Sequence, residues 1–198
     1  HVVDIIKHPR VPDRDLYVFD TRTDQLIKVV DALGTLLYGV TVDSTGRVFI
    51  AQADARNDAN GKSGTKKHGL KELENRAFLN QVTSVAFQDG TPQKPKFIDL
   101  EPLPPKHPGS GQALATPYAI QVSDDDTTLF VSAAGSDKLF TVDAQTGLLT
   151  SLGQQPSEIT PRPFGIDPDG HYLFAGGDGS KRLASYRIRE DGTLDPFG

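Results

Sequence analysis

Residues 116–153 read TPYAIQVSDDDTTLFVSAAGSDKLFTVDAQTGLLTSLG, and this stretch decides the fold. Four apolar runs, at 118–122, 129–133, 139–142 and 148–152, are separated by three turn-forming clusters. Asp124, Asp125 and Asp126 hold the first gap, Gly135, Ser136 and Asp137 the second, and Asp143, Thr146 and Gly147 the third. Acidic residues bond their own backbone in turns, and glycine accepts backbone angles that other residues avoid. Runs of about four to six residues are too short for a helix and right for a strand. Four sequential strands joined by tight turns make an antiparallel meander. One such sheet cannot bury both of its faces, so copies must stack.

The copies are present. Tyr118-Ala119-Ile120 is preceded by Tyr38-Gly39-Val40 and followed, 46 residues on, by Phe164-Gly165-Ile166. Each triplet leads into an acidic turn and then a strand: Val48-Phe49-Ile50, Leu129-Phe130-Val131 and Leu173-Phe174-Ala175. Gly135-Ser136-Asp137-Lys138 matches Gly179-Ser180-Lys181-Arg182. A period of roughly 40 to 50 residues with four strands per repeat predicts an all-β chain of β-propeller blades. An ordinary β-sandwich is the alternative. Counting strands gives about three and a half blades in a single domain, 1–198, interrupted by an insertion at about 54–80 between a second and a third strand. The expectation is therefore a partial propeller, with residues 2–6 as a second strand and one short helical turn or two around Leu70–Glu74.

The chain has 198 residues, 36% hydrophobic and 24% charged, with 19 Gly and 14 Pro, as suits a turn-rich β domain. A net charge of −5 gives no global pull toward nucleic acid. No run of about 18 apolar residues is present to predict a membrane-spanning helix. With no cysteine, disulfides, thiolate zinc sites and covalent c-type haem attachment are excluded within these residues.

The Tyr-Ala-Ile triplet, Leu129-Phe130-Val131-Ser132 and Val142-Asp143-Ala144-Gln145-Thr146-Gly147 resemble the surface-layer or YVTN-type propeller repeat, also seen in YncE-like proteins. Asp54-Ala55-Arg56-Asn57, Gly69-Leu70 and Asn75-Arg76 resemble an insertion of large secreted bacterial propellers, some of which carry cytochrome c domains. The last repeat, from Arg162-Pro163-Phe164-Gly165-Ile166-Asp167-Pro168-Asp169-Gly170 to Asp191-Gly192-Thr193-Leu194, is similar to lactonase propellers related to 6-phosphogluconolactonase. The first two resemblances imply a non-catalytic binding or scaffold module with a protein partner, or the remaining part of a longer chain, in a periplasmic or extracellular assembly. The third implies the alternative, a lactonase-type hydrolase acting on a small sugar lactone at the channel mouth. None of that family's catalytic residues is matched.

Topology places the site. In an up-and-down sheet the loops after strands two and four share one face, and those after strands one and three share the other. The first set, at 7–15, 54–80, 101–116 and 153–163, holds most of the irregular sequence and most of the basic loop residues. Loops on a rigid scaffold carry function, so this face is the expected binding surface. Arg56, Asn57, His68, Arg76, His107 and Arg162 are its candidate ligand or partner contacts. Arginine suits carboxylate and phosphate recognition; solvated charged loops are the alternative reading. Asp54, Asp58 and Asn60 offer hard oxygen ligands for calcium, although the spacing of an EF-hand loop is incomplete and a hydrogen-bonded turn serves equally. No other metal site and no cofactor is expected. Asp99 with Glu101 is a further carboxylate pair, and Ser110 sits in a Gly-Ser-Gly turn without the strand-to-helix setting of a nucleophile.

Overall fold

The computed structural model describes residues 13–56, 73, 76–146 and 151–197. The expected strand at 2–6 and helical turn near Leu70 fall outside them, apart from Leu73, which lies buried in a turn. The first sheet is a hairpin of β1 (Leu16–Phe19) and β2 (Leu26–Val30). The second orders β3 (Leu36–Val42), β4 (Val48–Ala55), β5 (Phe78–Val85) and β8 (Lys96–Asp99). A small hairpin of β6 (Phe87–Gln88) and β7 (Thr91–Pro92) fills its last turn. The third orders β9 (Pro117–Val122), β10 (Thr128–Ala133), β11 (Lys138–Asp143) and β12 (Ser151–Pro156). The fourth orders β13 (Pro161–Ile166), β14 (Tyr172–Gly177), β15 (Arg182–Ile188) and β16 (Leu194–Pro196). Among the described residues all pairings are antiparallel, and apart from the β6–β7 hairpin they give three four-stranded blades and half of another.

Three apolar cores lie between the sheets. Val30 and Leu33 meet Val48, Ile50 and Val85 between the first and second sheets. Phe49, Ala51 and Val82 meet Ile120, Leu129 and Val131 between the second and third. Phe130 and Leu139 meet Leu173, Ala175 and Tyr186 between the third and fourth. Alternate residues of β10 thus enter different cores, since Leu129 and Val131 face one neighbour and Phe130 the other. Both faces are buried, so the strand reads as a continuous apolar run rather than an alternating one. Burying each such side chain contributes about 1.5–3 kcal/mol.

The turns after the innermost strands repeat one geometry. Gly46 N donates to Asp43 O, Asp126 N to Ser123 O and Gly170 N to Asp167 O, each at 3.0 Å. Gly46, Asp126 and Gly170 all have positive φ. Adjacent turns also clasp each other, because Ser44 donates to the Asp126 carboxylate through its backbone N–H (3.0 Å) and its hydroxyl.

Several expected boundaries shift. The insertion is shorter than 54–80, because β4 runs on to Ala55 and β5 begins at Phe78, with Asp54 paired to Leu79. The expected loop at 153–163 is largely strand. β12 reaches Pro156 and β13 starts at Pro161, leaving four residues between them. The pairing of Lys138 with Pro156 draws the fourth strand C-terminal of the apolar run that predicted it.

Candidate functional site

Register identifies a recurring irregularity in each innermost strand. Leu37 pairs with Gln52 and Gly39 with Ala51, so Tyr38 is an extra residue on β3. Pro117 pairs with Ala133 and Ile120 with Val131, setting Tyr118 and Ala119 against Ser132 alone. Pro161 pairs with Gly177 and Phe164 with Ala175, setting Arg162 and Pro163 against Gly176. A bulge turns its side chain away from the regular pleat, and bulges gather beside active sites. Tyr38, Tyr118 and Arg162 are therefore equivalent. The repeat from the third blade to the fourth is 44 residues, not 46, and the partner of Tyr118-Ala119-Ile120 is Arg162-Pro163-Phe164.

These side chains form a row across three blades on the face of the longer loops. The rings of Tyr38 and Tyr118 stack at 5.0 Å with 28° between their planes. The Arg162 guanidinium lies 5.6 Å from the centre of the Tyr118 ring. Close approach of the inner strands makes the stack: a Cβ built on Gly39 would come within 2.5 Å of Tyr118 O.

Tyr38 also lines an open cavity of about 520 Å³, walled by Leu36, Phe78, Asn80 and Thr116 and by His107 of the 101–116 loop. That loop is pinned at both ends. Arg76 Nη2 donates to Glu101 Oε2 at 3.0 Å, and Nη1 donates to Lys106 O at 3.0 Å and to Pro102 O. Glu101 also accepts from Asn80 Nδ2 (3.1 Å) and Leu114 N (2.8 Å), and Asn80 Oδ1 accepts from Thr116 N (3.0 Å). At the other end Lys138 Nζ donates to Ala113 O (3.1 Å), Gln154 Oε1 (2.9 Å) and Gly111 O. The Arg76 and Glu101 side chains are 10% and 5% exposed. A buried pair so completely bonded holds a loop in place; neither charge is free to bind a ligand.

Among the expected contacts, His107 and Arg76 line this cavity, whereas Arg162 lies outside it, over the Tyr118 ring of the stack. Arg56 instead braces the base of the insertion, with Nη1 donating to Leu73 O (2.9 Å) and Arg76 O (3.3 Å). Asn57 and His68 lie outside the described residues, as do Asp58 and Asn60 of the calcium candidate. Its third member, Asp54, accepts the Thr35 hydroxyl at 2.9 Å. Asp99 and Glu101 do not act as a pair, since Asp99 accepts from Gln81 while Glu101 serves Arg76.

Sequence reasoning missed Asn80 in the cavity wall and the stacking of the two tyrosines beside it. The recurring tyrosine in the triplets was the available signal, read only as a fold marker. It also missed donor atoms of Asp167, Asp169 and His171 that lie within 4.8 Å of one another on the opposite face. Asp167 Oδ1 there already accepts His171 N and Tyr172 N, both at 2.7 Å, which is the bonding of an ordinary turn.

Comparison with known proteins agrees with the architecture. Residues 68–198 match the family model described as lactonase, 7-bladed beta-propeller. A 59-residue segment is 43% identical to 6-phosphogluconolactonase of Sodalis glossinidius, covering 29% of this chain and 18% of that protein. An 81-residue segment is 32% identical to the Pectobacterium carotovorum enzyme of the same name, covering 39% and 24%. The matched segments thus span about a fifth of these curated relatives. Among solved structures, Kuenenia stuttgartiensis hydrazine synthase aligns with a TM-score of 0.65 at 14% identity, over 85% of this chain and 50% of that one. A functionally unknown protein from Desulfotomaculum acetoxidans aligns at 0.60 and 12% identity, over 92% and 47%. These two likenesses concern the fold alone. The match begins after the two inner strands of the second blade and takes in the whole of the third and fourth, with Tyr118 and Arg162, and the chain belongs to the seven-bladed β-propeller lactonase family.

Proposed function

We propose that the chain supplies part of the active site of a hydrolase that opens a small sugar lactone, with the substrate held at the channel mouth on the long-loop face. The observation that carries this reading is the cavity between Tyr38 and His107, next to the bulged row, in a chain of the lactonase family. Family membership and the segments shared with 6-phosphogluconolactonases put the hydrolase alternative ahead of the scaffold reading that the sequence ranked first. The bulged tyrosines offer ring faces against which a saturated sugar ring packs. His107, carried over the cavity by a loop fixed through Arg76 and Glu101, is the candidate general base. In the reaction a water adds to the lactone carbonyl as its proton passes to the base. The ring C–O bond then breaks, and the proton returns to the departing ring oxygen.

The test is lactone consumption by the purified protein, measured against spontaneous hydrolysis with 6-phosphogluconolactone and glucono-lactone. Turnover is expected, with His107→Ala slower by about a hundredfold. No turnover above the spontaneous rate across a broad lactone panel refutes the hydrolase reading. Full turnover by His107→Ala refutes only the role assigned to His107.

A further inference from the structure

The third and fourth blades part along a cleft of about 140 Å³ between β11, β12 and the start of β16. Leu139 and Leu194, 1% and 5% exposed, are its apolar walls, and Thr141, Gln155 and Thr193 line its polar side. Leu139 belongs to the core shared with the fourth blade, and Thr141, two residues on, presents its side chain to the same face of the sheet. Gln155 pairs directly with Leu139 and so shares that face. Thr141 is 2% exposed, and its hydroxyl is buried without a hydrogen-bond partner. A buried hydroxyl left unpaired weakens the fold, so its presence calls for another reason. The Thr193 hydroxyl donates to Asp191 and Gln154 Oε1 accepts from Lys138, which leaves the Thr141 hydroxyl and the Gln155 amide to meet a ligand. The second blade is built differently at this place. Phe49 pairs with Ser84 as Phe130 does with Thr141, and Val82 pairs with Ile98 as Leu139 does with Gln155. Val82 and Ile98 are both buried. A blade therefore accepts hydrocarbon where β12 places an amide, and a fold requirement does not account for Gln155.

We propose that this cleft binds a small neutral alcohol, a single hydrocarbon ring that lies between Leu139 and Leu194 and whose hydroxyl bonds Thr141 Oγ1 and the Gln155 amide. The volume sets the size, since a cavity of about 150 Å³ holds one benzene. The lining sets the charge. Among the described residues no charged side chain lines the cleft, so an ion entering it would give up its hydration without compensation. A threonine hydroxyl and a glutamine amide each donate and accept, which suits a ligand hydroxyl that does the same. The cleft lies at the outer strands rather than at the inner ones that carry Tyr38 and Tyr118, and it stands whether or not the protein opens lactones.

Titration of the isotope-labelled protein with cyclohexanol, cyclohexylamine and cyclohexanecarboxylate at neutral pH, followed by its amide NMR resonances, tests this. Cyclohexanol is expected to give saturable shifts at Thr141, Gln155 and Leu194, and the two ions none. Thr141→Val keeps the shape of the side chain and removes the hydroxyl, so it weakens cyclohexanol binding by about five- to tenfold, as expected for one lost hydrogen bond. Without ligand the same variant is expected to unfold at a higher urea concentration than wild type, because the unpaired hydroxyl is gone. A hydroxyl kept for folding would do the opposite, so a Thr141→Val protein that is less stable than wild type or fails to fold overturns the proposal. Gln155→Leu, at a position where the second blade carries isoleucine, is expected to fold and to lose affinity in the same way. The proposal is also overturned if cyclohexanol gives no saturable shift, which would mean that water alone fills the cleft. Binding by both variants within twofold of wild type overturns it too, as does binding of either ion as tight as that of the alcohol.

Discussion

Gly39→Ala is expected to damage the protein at the point where the second and third blades meet. A Cβ at this position would lie 2.5 Å from Tyr118 O, 3.1 Å from Ile120 N and 3.2 Å from Ala119 Cα. All three neighbours are main-chain atoms of β9, so no rotamer change relieves the contact and the strands must part by several tenths of an ångström. Forcing a methyl group into a well-packed site costs about 1–3 kcal/mol, and backbone neighbours place this case at the upper end. For a chain of this length, 2 to 3 kcal/mol lowers the melting temperature by roughly 4–12 °C. Gly165→Ala on β13 is the control, because its Cβ would meet nothing within 4 Å. There alanine removes only unfolded-state freedom and is neutral or stabilising by about 0.4–1 kcal/mol. Urea unfolding followed by far-ultraviolet circular dichroism gives both values. Equal midpoints for the two variants would show that inner-strand approach does not limit packing, and would remove the physical basis of the Tyr38–Tyr118 stack.

Glu101→Gln leaves the buried Arg76 guanidinium without its counter-charge and is expected to cost about 3 kcal/mol in urea unfolding; a cost under 1 kcal/mol would mean that the pair does not organise the 101–116 loop. Asp43 is buried, which by itself raises its carboxyl pKa, yet hydrogen bonds from Thr45 and Arg47 outweigh this and hold it below the ordinary 3.8. Its stabilisation is thus complete above that value and is lost as pH falls through the lower folded one. Asp43→Asn should be less stable than wild type by about 1–3 kcal/mol at neutral pH, with the gap narrowing below pH 3.8, and a gap independent of pH argues against the assignment. A double-mutant cycle of Ser44→Ala and Asp126→Ala should return a coupling of about 0.5–2 kcal/mol, whereas additive losses would mean that the turns of adjacent blades are not clasped.

Much of the fold is legible because its determinants are local. Acidic turns with a left-handed residue at Gly46, Asp126 and Gly170 punctuate the chain, and apolar runs between them have strand length. Continuous rather than alternating hydrophobicity in β4 and β10 already points to sheets stacked on both sides. The site is less legible. Arg76 and Arg56 are basic loop residues, as a ligand contact would be, but where their guanidiniums point is set by carbonyls 17 to 30 residues away in sequence. Glu101 and Asp99 stand two apart, yet serve different partners across the sheet.

The equivalence of Arg162 with the tyrosines was hidden for a more specific reason. Side chains along a strand repeat every second residue, so a shift of two positions keeps every apolar residue on its own face. Phe164-Gly165-Ile166 therefore matches Tyr118-Ala119-Ile120 in pattern as well as the true partner does, and only hydrogen-bond register separates the two alignments. The fixed point is in the next strand, where Phe130 and Phe174 stand 44 residues apart opposite Gln121 and Gly165. Aligning on the second strand, where Leu129 and Leu173 are both fully buried in equivalent positions, puts Arg162 on the bulge. A bulge frees its side chain from the packing demands of the pleat, which is why one blade can place a cation where its neighbours place a phenol. Variation at that single position leaves the three inter-sheet cores untouched while changing the charge presented beside the tyrosine stack.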